Sequence, residues 1–114
     1  FEPLLMASDA GRAVFMTSGA ARGRKPFWAP YASSKAALDG LIESWAKEHE
    51  TGTLRINLVN PGPMRTTMRA KAFPGEDPQT LPEPAALVPL VLELVSPACT
   101  KNAQIVDYPE WIKG

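Results

Sequence analysis

Short apolar runs alternate with longer stretches of helical periodicity along this chain, and this alternation is the strongest constraint on its fold. Runs at about 13–17 and 54–59 predict strands, and a shorter run near 103–106 predicts a third. Apolar residues recur at helical spacing through 31–50, and a second helix is predicted over about 84–95. This order is typical of parallel strands joined by right-handed crossovers. We therefore expect an α/β fold with about three parallel strands and flanking helices.

The remaining segments are predicted to connect these elements. Residues 3–8 have the character of the last turns of a helix, and 8–11 of the turn that ends it. The stretch from Gly19 to Pro30 is predicted to be a loop. The Pro- and Gly-rich stretch 61–84 is too long for a simple connection, and segments of that length are usually functional lids or disordered.

Length and charge exclude several function classes. The chain has 114 residues, enough for one domain, and its 12 basic and 12 acidic residues balance. Without a net electrostatic field, a nucleic-acid partner is not expected. No apolar stretch is long enough to span a bilayer, and Cys99 is the only cysteine, so we expect no membrane association, no internal disulfide and a cytoplasmic location. The start at Phe1, without an initiator methionine, suggests a piece of a longer protein.

Three polar side chains, Ser18, Tyr31 and Lys35, together suit proton transfer to a carbonyl oxygen. A phenol is a poor acid or base near neutrality. On a helix, Tyr31 and Lys35 lie one turn apart on the same face, so the ammonium favours the phenolate. If Ser18 follows the end of a strand, its hydroxyl can donate to a substrate oxygen that gains negative charge.

A tyrosine and a lysine four residues apart are common near helix starts, so the accompanying motifs matter. Thr17-Ser18-Gly19 precedes Tyr31-x-x-x-Lys35, and Arg55-Ile56-Asn57-Leu58-Val59-Asn60-Pro61-Gly62 follows, with Thr66 shortly after. In this order and spacing the chain resembles the classical short-chain dehydrogenase/reductase family. Within it, the run from Pro61 and the run Phe73-Pro74-Gly75-Glu76 look most like bacterial oxoacyl-reductase-like members.

The resemblance implies a doubly wound, Rossmann-like parallel sheet with NAD or NADP as cofactor. The family's sheet has seven strands, and residues 1–114 would supply the last three, which form the catalytic half of the domain, with the amino-terminal half absent. The glycine-rich turn that holds a dinucleotide pyrophosphate follows the first strand of such folds. This sequence contains no such motif, since the run Gly19 to Gly23 follows the wrong strand.

The resemblance also assigns roles to residues. Tyr31 would be the general acid or base, Lys35 would hold the nicotinamide ribose and tune Tyr31, and Ser18 would orient the carbonyl or alcohol. The positions that would wrap around the nicotinamide are Pro61, Gly62, Met64 and Thr66. No metal is expected, because the only histidine, His49, lies near a helix end with no second ligand beside it.

The implied function is NAD(P)-dependent interconversion of a carbonyl and an alcohol by a homodimer or homotetramer. Two alternatives stay open: a catalytically silent piece that acts only as an association surface, and a non-redox relative with the same fold. Exposed parts of the helical stripe, which includes Leu41 and Trp45, would be a partner surface. The basic loop residues Arg22, Arg24 and Lys25 are expected to be solvated rather than to bind an anionic substrate. At the carboxyl terminus, Val106-Asp107-Tyr108-Pro109 departs from the family's usual aspartate followed by glycines.

Overall fold

A computed structural model describes residues 1–23 and 25–114 of the chain. The helices and strands alternate as the sequence predicts. In chain order they are α1 (Glu2–Ala7), β1 (Arg12–Met16), α2 (Ala20–Gly23), α3 (Ala29–Glu48), β2 (Arg55–Asn60), α4 (Thr67–Ala72), two 3-10 turns (Pro78–Thr80 and Pro84–Leu87), α5 (Val88–Val95), β3 (Ile105–Asp107) and α6 (Tyr108–Trp111).

The three strands form one parallel sheet in the order β1-β2-β3. Ala13 pairs with Ile56 and Met16 with Val59 across the first pair, and Val59 pairs with Val106 across the second. The central strand β2 is buried along most of its length, as expected where both faces of a parallel sheet are covered. The predicted Rossmann-like α/β sheet is confirmed.

Alternate residues of β2 belong to two apolar clusters. Ile56 and Leu58 pack with Ile42 and Ala46 of α3. On the other face, Val59 packs in the second cluster, whose other buried members are Met64, Leu90, Leu94 and Tyr108. Each fully buried aliphatic side chain stabilises the fold by roughly 1.5–3 kcal/mol before entropy costs. The sheet therefore fixes α3 on one side and α5 on the other.

The third strand begins two residues later than the sequence predicts, and the residues just before it bond to β2 through both side chains and backbone. Asn102 Oδ1 accepts a hydrogen bond from the Ile56 N–H at 2.9 Å. The buried Asn57 side chain donates to the Lys101 carbonyl and accepts from the Gln104 N–H at 3.1 Å. Ala103 has a positive φ of 58°, which interrupts extended backbone. The segment is thus bonded to β2 without continuing the strand.

Two predicted loops contain short helices. The stretch from Gly19 to Pro30 includes α2, and the stretch 61–84 includes α4 and a 3-10 turn. The last helix, α6, follows β3 directly and was not predicted either. Among the helices that the structure describes, none is long and apolar enough to cross a membrane.

Candidate active site

The loops that follow the three strands meet at the carboxyl edge of the sheet and enclose a cleft of about 510 Å³. In open α/β sheets this edge is where ligands bind, and the volume lies within the usual range for small-molecule sites. Six of the seven predicted site residues line the cleft: Ser18, Tyr31, Pro61, Gly62, Met64 and Thr66. The seventh, Lys35, lies one helical turn after Tyr31 and does not itself line the cleft.

Ser18 stands two residues beyond the end of β1. The preceding residue, Thr17, is buried, and its N–H donates to the Val59 carbonyl at 2.8 Å, which continues the bonding of β1 to β2. The Thr17 hydroxyl donates to the buried Asp39 carboxylate on α3. Ser18 Oγ accepts from the Ala20 N–H at 3.2 Å as α2 begins. The hydroxyl is therefore held at a fixed point on the cleft wall.

Tyr31 lies in the first turn of α3, and Lys35 lies one turn later. The helix starts at Ala29-Pro30, where a proline costs no helical hydrogen bond. The Lys35 ammonium lies 5.9 Å from the centre of the Tyr31 ring and 3.4 Å from the Met16 carbonyl oxygen, to which it donates. The start of α3 and the four-residue spacing of Tyr31 and Lys35 thus bring the phenol and the ammonium together near the end of β1.

The loop after β2 carries the other four predicted residues. Gly62 has a φ of 71°, and its N–H donates to Asn60 Oδ1 at 3.1 Å. Met64 is buried in the second apolar cluster while also bordering the cleft. Thr66 caps α4, because its hydroxyl oxygen accepts from the Arg69 N–H at 3.1 Å.

The carboxylate of Asp107, for which the sequence predicted no role, connects the ends of β2 and β3 to the α2 helix that follows β1. Asp107 Oδ1 accepts from the Asn60 amide at 2.9 Å and from the Arg22 guanidinium at 2.8 Å. Arg22 follows β1, Asn60 ends β2 and Asp107 ends β3. The only sequence signal for this network is a polar residue at the end of each of the last two strands.

The α4 segment, residues 67–76, covers one side of the cleft. Arg69 donates to both carboxylate oxygens of Glu76, at 2.8 and 3.0 Å. These hydrogen bonds hold the pKa of the Glu76 carboxyl below its usual value. The Arg69 guanidinium also lies 3.8 Å from the centre of the Phe73 ring, which stacks on Trp28. The segment is therefore an ordered wall rather than an open loop.

Arg22 and Lys25, two basic residues of the stretch from Gly19 to Pro30, differ in their surroundings. Arg22 is paired with Asp107, whereas the Lys25 ammonium lies at the cleft, 6.0 Å from the Phe73 ring centre. Arg24 lies outside the described residues.

Two other sequence expectations concern the far end of α3. His49 ends the helix as predicted, but its ring bonds the Glu2 carboxylate at 3.2 Å. Hydrogen bonds from Trp45 and, to a smaller extent, from His49 lower the pKa of the Glu2 carboxyl. Trp45 also packs against Phe15 in the core, whereas Leu41 is 68% exposed. Of these two residues, Leu41 is the exposed one.

Known proteins match this chain in sequence and in structure. The family model described as short chain dehydrogenase matches residues 1–77. The uncharacterized oxidoreductase YciK of Escherichia coli K12 is 48% identical over 93 residues, which are 82% of this chain and 36% of that protein. The NADPH-dependent aldehyde reductase-like protein of Arabidopsis thaliana chloroplasts is 35% identical over 112 residues, covering 96% of this chain and 40% of the relative.

A solved structure matches the fold over nearly the same range. The crystal structure of a short chain dehydrogenase from Escherichia coli CFT073, complexed with NADPH, superposes with a TM-score of 0.86 at 44% identity. The match covers 93% of this chain and 44% of that one. The chain therefore spans less than half the length of these relatives. The matching family model, the sequence identities and the shared fold together show that this chain belongs to the short-chain dehydrogenase/reductase family.

Proposed function

We propose that residues 1–114 form the catalytic part of an NAD(P)-dependent oxidoreductase that interconverts a carbonyl and an alcohol. One observation carries the proposal: Ser18 and Tyr31 line the same cleft at the carboxyl edge of the sheet, and the Lys35 ammonium lies 5.9 Å from the Tyr31 ring centre. A hydroxyl donor, a phenol and a positive charge are the groups that proton transfer at a carbonyl oxygen requires.

In this account Tyr31 moves the proton at the substrate oxygen. In reduction its hydroxyl donates a proton to the carbonyl oxygen, and in oxidation its phenolate removes the proton of the alcohol. Ser18 donates a hydrogen bond to the same oxygen, which is strongest when negative charge develops there. Lys35 places a positive charge next to the Tyr31 ring. General acid–base catalysis of this kind contributes about 10²- to 10⁴-fold in rate.

The loop after β2 fits the nicotinamide end of a dinucleotide. Gly62 adopts a left-handed φ of 71°, which gives a tight turn at the cleft, and Pro61, Met64 and Thr66 line the same surface. We propose that these residues, with Tyr31 and Lys35, hold that end of NAD or NADP. A bound NAD(P) supplies or accepts the hydride. The pyrophosphate-binding glycine motif is not in this sequence, so these residues account for one end of the cofactor only.

We further propose a small-molecule carbonyl or alcohol substrate and a homodimer or homotetramer. Leu41, which is exposed on α3, is a residue that such a subunit contact would cover.

The test uses the complete gene product in which this chain occurs, with NADPH and NADH supplied separately. We expect oxidation of one of them, followed at 340 nm, that depends on added aldehyde or ketone. Saturable cofactor binding without turnover of any carbonyl would instead indicate the non-redox relative. If the gene product neither binds a cofactor nor turns over a carbonyl, the result would indicate the catalytically silent alternative.

A further inference from the structure

Three aromatic rings form one wall of the candidate active site. Trp28, Tyr31 and Phe73, which we call the aromatic wall, all line the cleft. The Trp28 and Phe73 rings are stacked, with centres 6.1 Å apart and planes 25° from parallel. The Trp28 and Tyr31 rings meet edge to face, with centres 5.7 Å apart. A substrate whose carbonyl oxygen reaches Tyr31 would therefore have its attached group beside two further rings.

Neighbouring side chains and a backbone hydrogen bond hold the aromatic wall in place. Phe73 contacts Trp28 and the Arg69 guanidinium, which is 3.8 Å from its ring centre and fixed by two hydrogen bonds to Glu76. The Trp28 carbonyl accepts from the Ala32 N–H at 2.8 Å, which ties Trp28 to the first turn of α3. Both rings are only half-buried, so each retains surface that a ligand can cover. A surface held this way loses little conformational entropy on binding.

Apolar side chains make up most of the cleft surface, and its charged residues are Lys25 and Arg69, the latter already paired with Glu76. No carboxylate is among the described residues that line it. Its one side-chain amide, Asn60, already donates to Asp107 and accepts from the Gly62 N–H. A sugar or polyol would bury several hydroxyl groups against this largely apolar surface, and each one left without a partner is costly. Apolar side chains complete the surface near Phe73, including Met68 and Ala72.

We infer that the substrates of this site are carbonyl compounds that carry an aromatic ring, bound with that ring against Trp28 and Phe73. This inference rests on the proposed function, because Tyr31 defines where the carbonyl oxygen lies. Aromatic pairs prefer offset-stacked or edge-to-face contacts, and each contact of this kind is worth up to about tenfold in affinity beyond its buried area.

The test compares benzaldehyde with propanal as substrates of the complete gene product, with NADPH as the reductant. We expect kcat/KM to favour benzaldehyde by at least about tenfold. Trp28→Leu and Phe73→Leu keep apolar side chains but remove a ring, and each should lower the benzaldehyde-to-propanal ratio by about tenfold. The matched control is Phe27→Leu, because Phe27 is fully exposed and does not line the cleft. This control should leave the ratio unchanged.

The possible results separate this inference from the proposed function. Turnover of both aldehydes with a ratio near one, or a ratio that neither variant changes, overturns the aromatic subsite but leaves the oxidoreductase proposal intact. If neither aldehyde is turned over, the oxidoreductase proposal is contradicted for these probes. Calorimetric titration with benzyl alcohol then tests the aromatic subsite. Saturable binding that Phe73→Leu weakens supports the subsite, whereas no binding, or equal binding by the variant, overturns it.

Discussion

At the scale of single residues, the shape of the cleft depends on the backbone of Gly62. A φ of 71° lies in the left-handed region, where a side chain costs about 1–2 kcal/mol. A Cβ atom here would also lie 2.8 Å from Pro109 Cγ, in a proline ring with little freedom to move. The sequence Asn60-Pro61-Gly62 thus places a turn that only glycine fits directly beside the candidate catalytic groups.

Gly62→Ala is expected to lower both stability and activity. The strained φ and the contact with Pro109 should reduce the free energy of unfolding by about 1–2 kcal/mol. The loop must also shift to relieve the contact, and a displacement of about 1 Å near the reacting groups can lower kcat/KM roughly 100-fold. Urea unfolding and steady-state kinetics of the complete gene product measure the two effects.

Gly75→Ala is the matched control for this change. Its Cβ would point into open space, and its φ is not positive, so both measured quantities should stay close to wild type. Equal effects of the two substitutions would contradict the special role of Gly62.

The candidate site residues were predictable from sequence because local motifs carry them. Tyr31 and Lys35 are four residues apart on one helix, and Pro61 and Gly62 follow a strand directly. The bonds of Asp107 were not predictable, since it meets Asn60 and Arg22 from 47 and 85 residues away. A contact at that separation depends on strand order and register, which no local pattern specifies.

At the scale of elements, the α4 segment is the main difference between sequence expectation and structure. Prolines and glycines across 61–84 suggested an irregular loop, yet Thr66 caps a short helix within it. A Thr that precedes Thr67-Met68-Arg69-Ala70 is a possible helix start, but six residues give too little periodicity to predict one. The Arg69–Glu76 pair then fastens the helix to the turn that follows it.

The Arg69–Glu76 pair predicts a specific dependence of stability on pH. Because hydrogen bonds from Arg69 hold the pKa of Glu76 below its ordinary 4.5, the folded state releases this proton at lower pH than the unfolded state. The stabilisation is therefore complete above pH 4.5 and is lost as the pH falls through the lower folded-state value. Glu76→Gln should be less stable than wild type near neutrality, with a difference that shrinks below pH 4.5.

Urea unfolding at a series of pH values measures this difference. Glu110→Gln serves as the control, because Glu110 pairs with Lys113 only at 3.4 Å and on an exposed surface, where ion pairs contribute little. A Glu76→Gln difference that is constant from neutral to acid pH would show that the ion pair does not hold the α4 segment.

At the scale of the whole molecule, the described residues form one three-stranded sheet whose two outer edges have no strand partner within them. β1 pairs with β2 alone in the described structure, so one edge of it offers free backbone donors and acceptors. Large apolar side chains are also exposed, including Leu4, Met6 and Leu41. The sequence predicted about three parallel strands, whereas their order β1-β2-β3 comes from the structure.

The 114-residue chain on its own is expected to associate. Open strand edges pair with other chains, and exposed apolar surface favours the same outcome. Sedimentation velocity should show oligomers or aggregates that grow with concentration. A single sharp monomer boundary, together with cooperative unfolding in urea, would contradict this expectation.

The most direct test of the proposed proton transfer by Tyr31 is to measure kcat of the Tyr31→Phe variant of the complete gene product. The change removes only the hydroxyl that is proposed to move the proton, so kcat for carbonyl reduction should fall about 10²- to 10⁴-fold. NADPH binding, measured by fluorescence titration, should stay within a few fold of wild type. Tyr108→Phe makes the same change at a buried tyrosine outside the cleft and should keep kcat near wild type. A Tyr31→Phe variant that turns over at the wild-type rate would contradict the account.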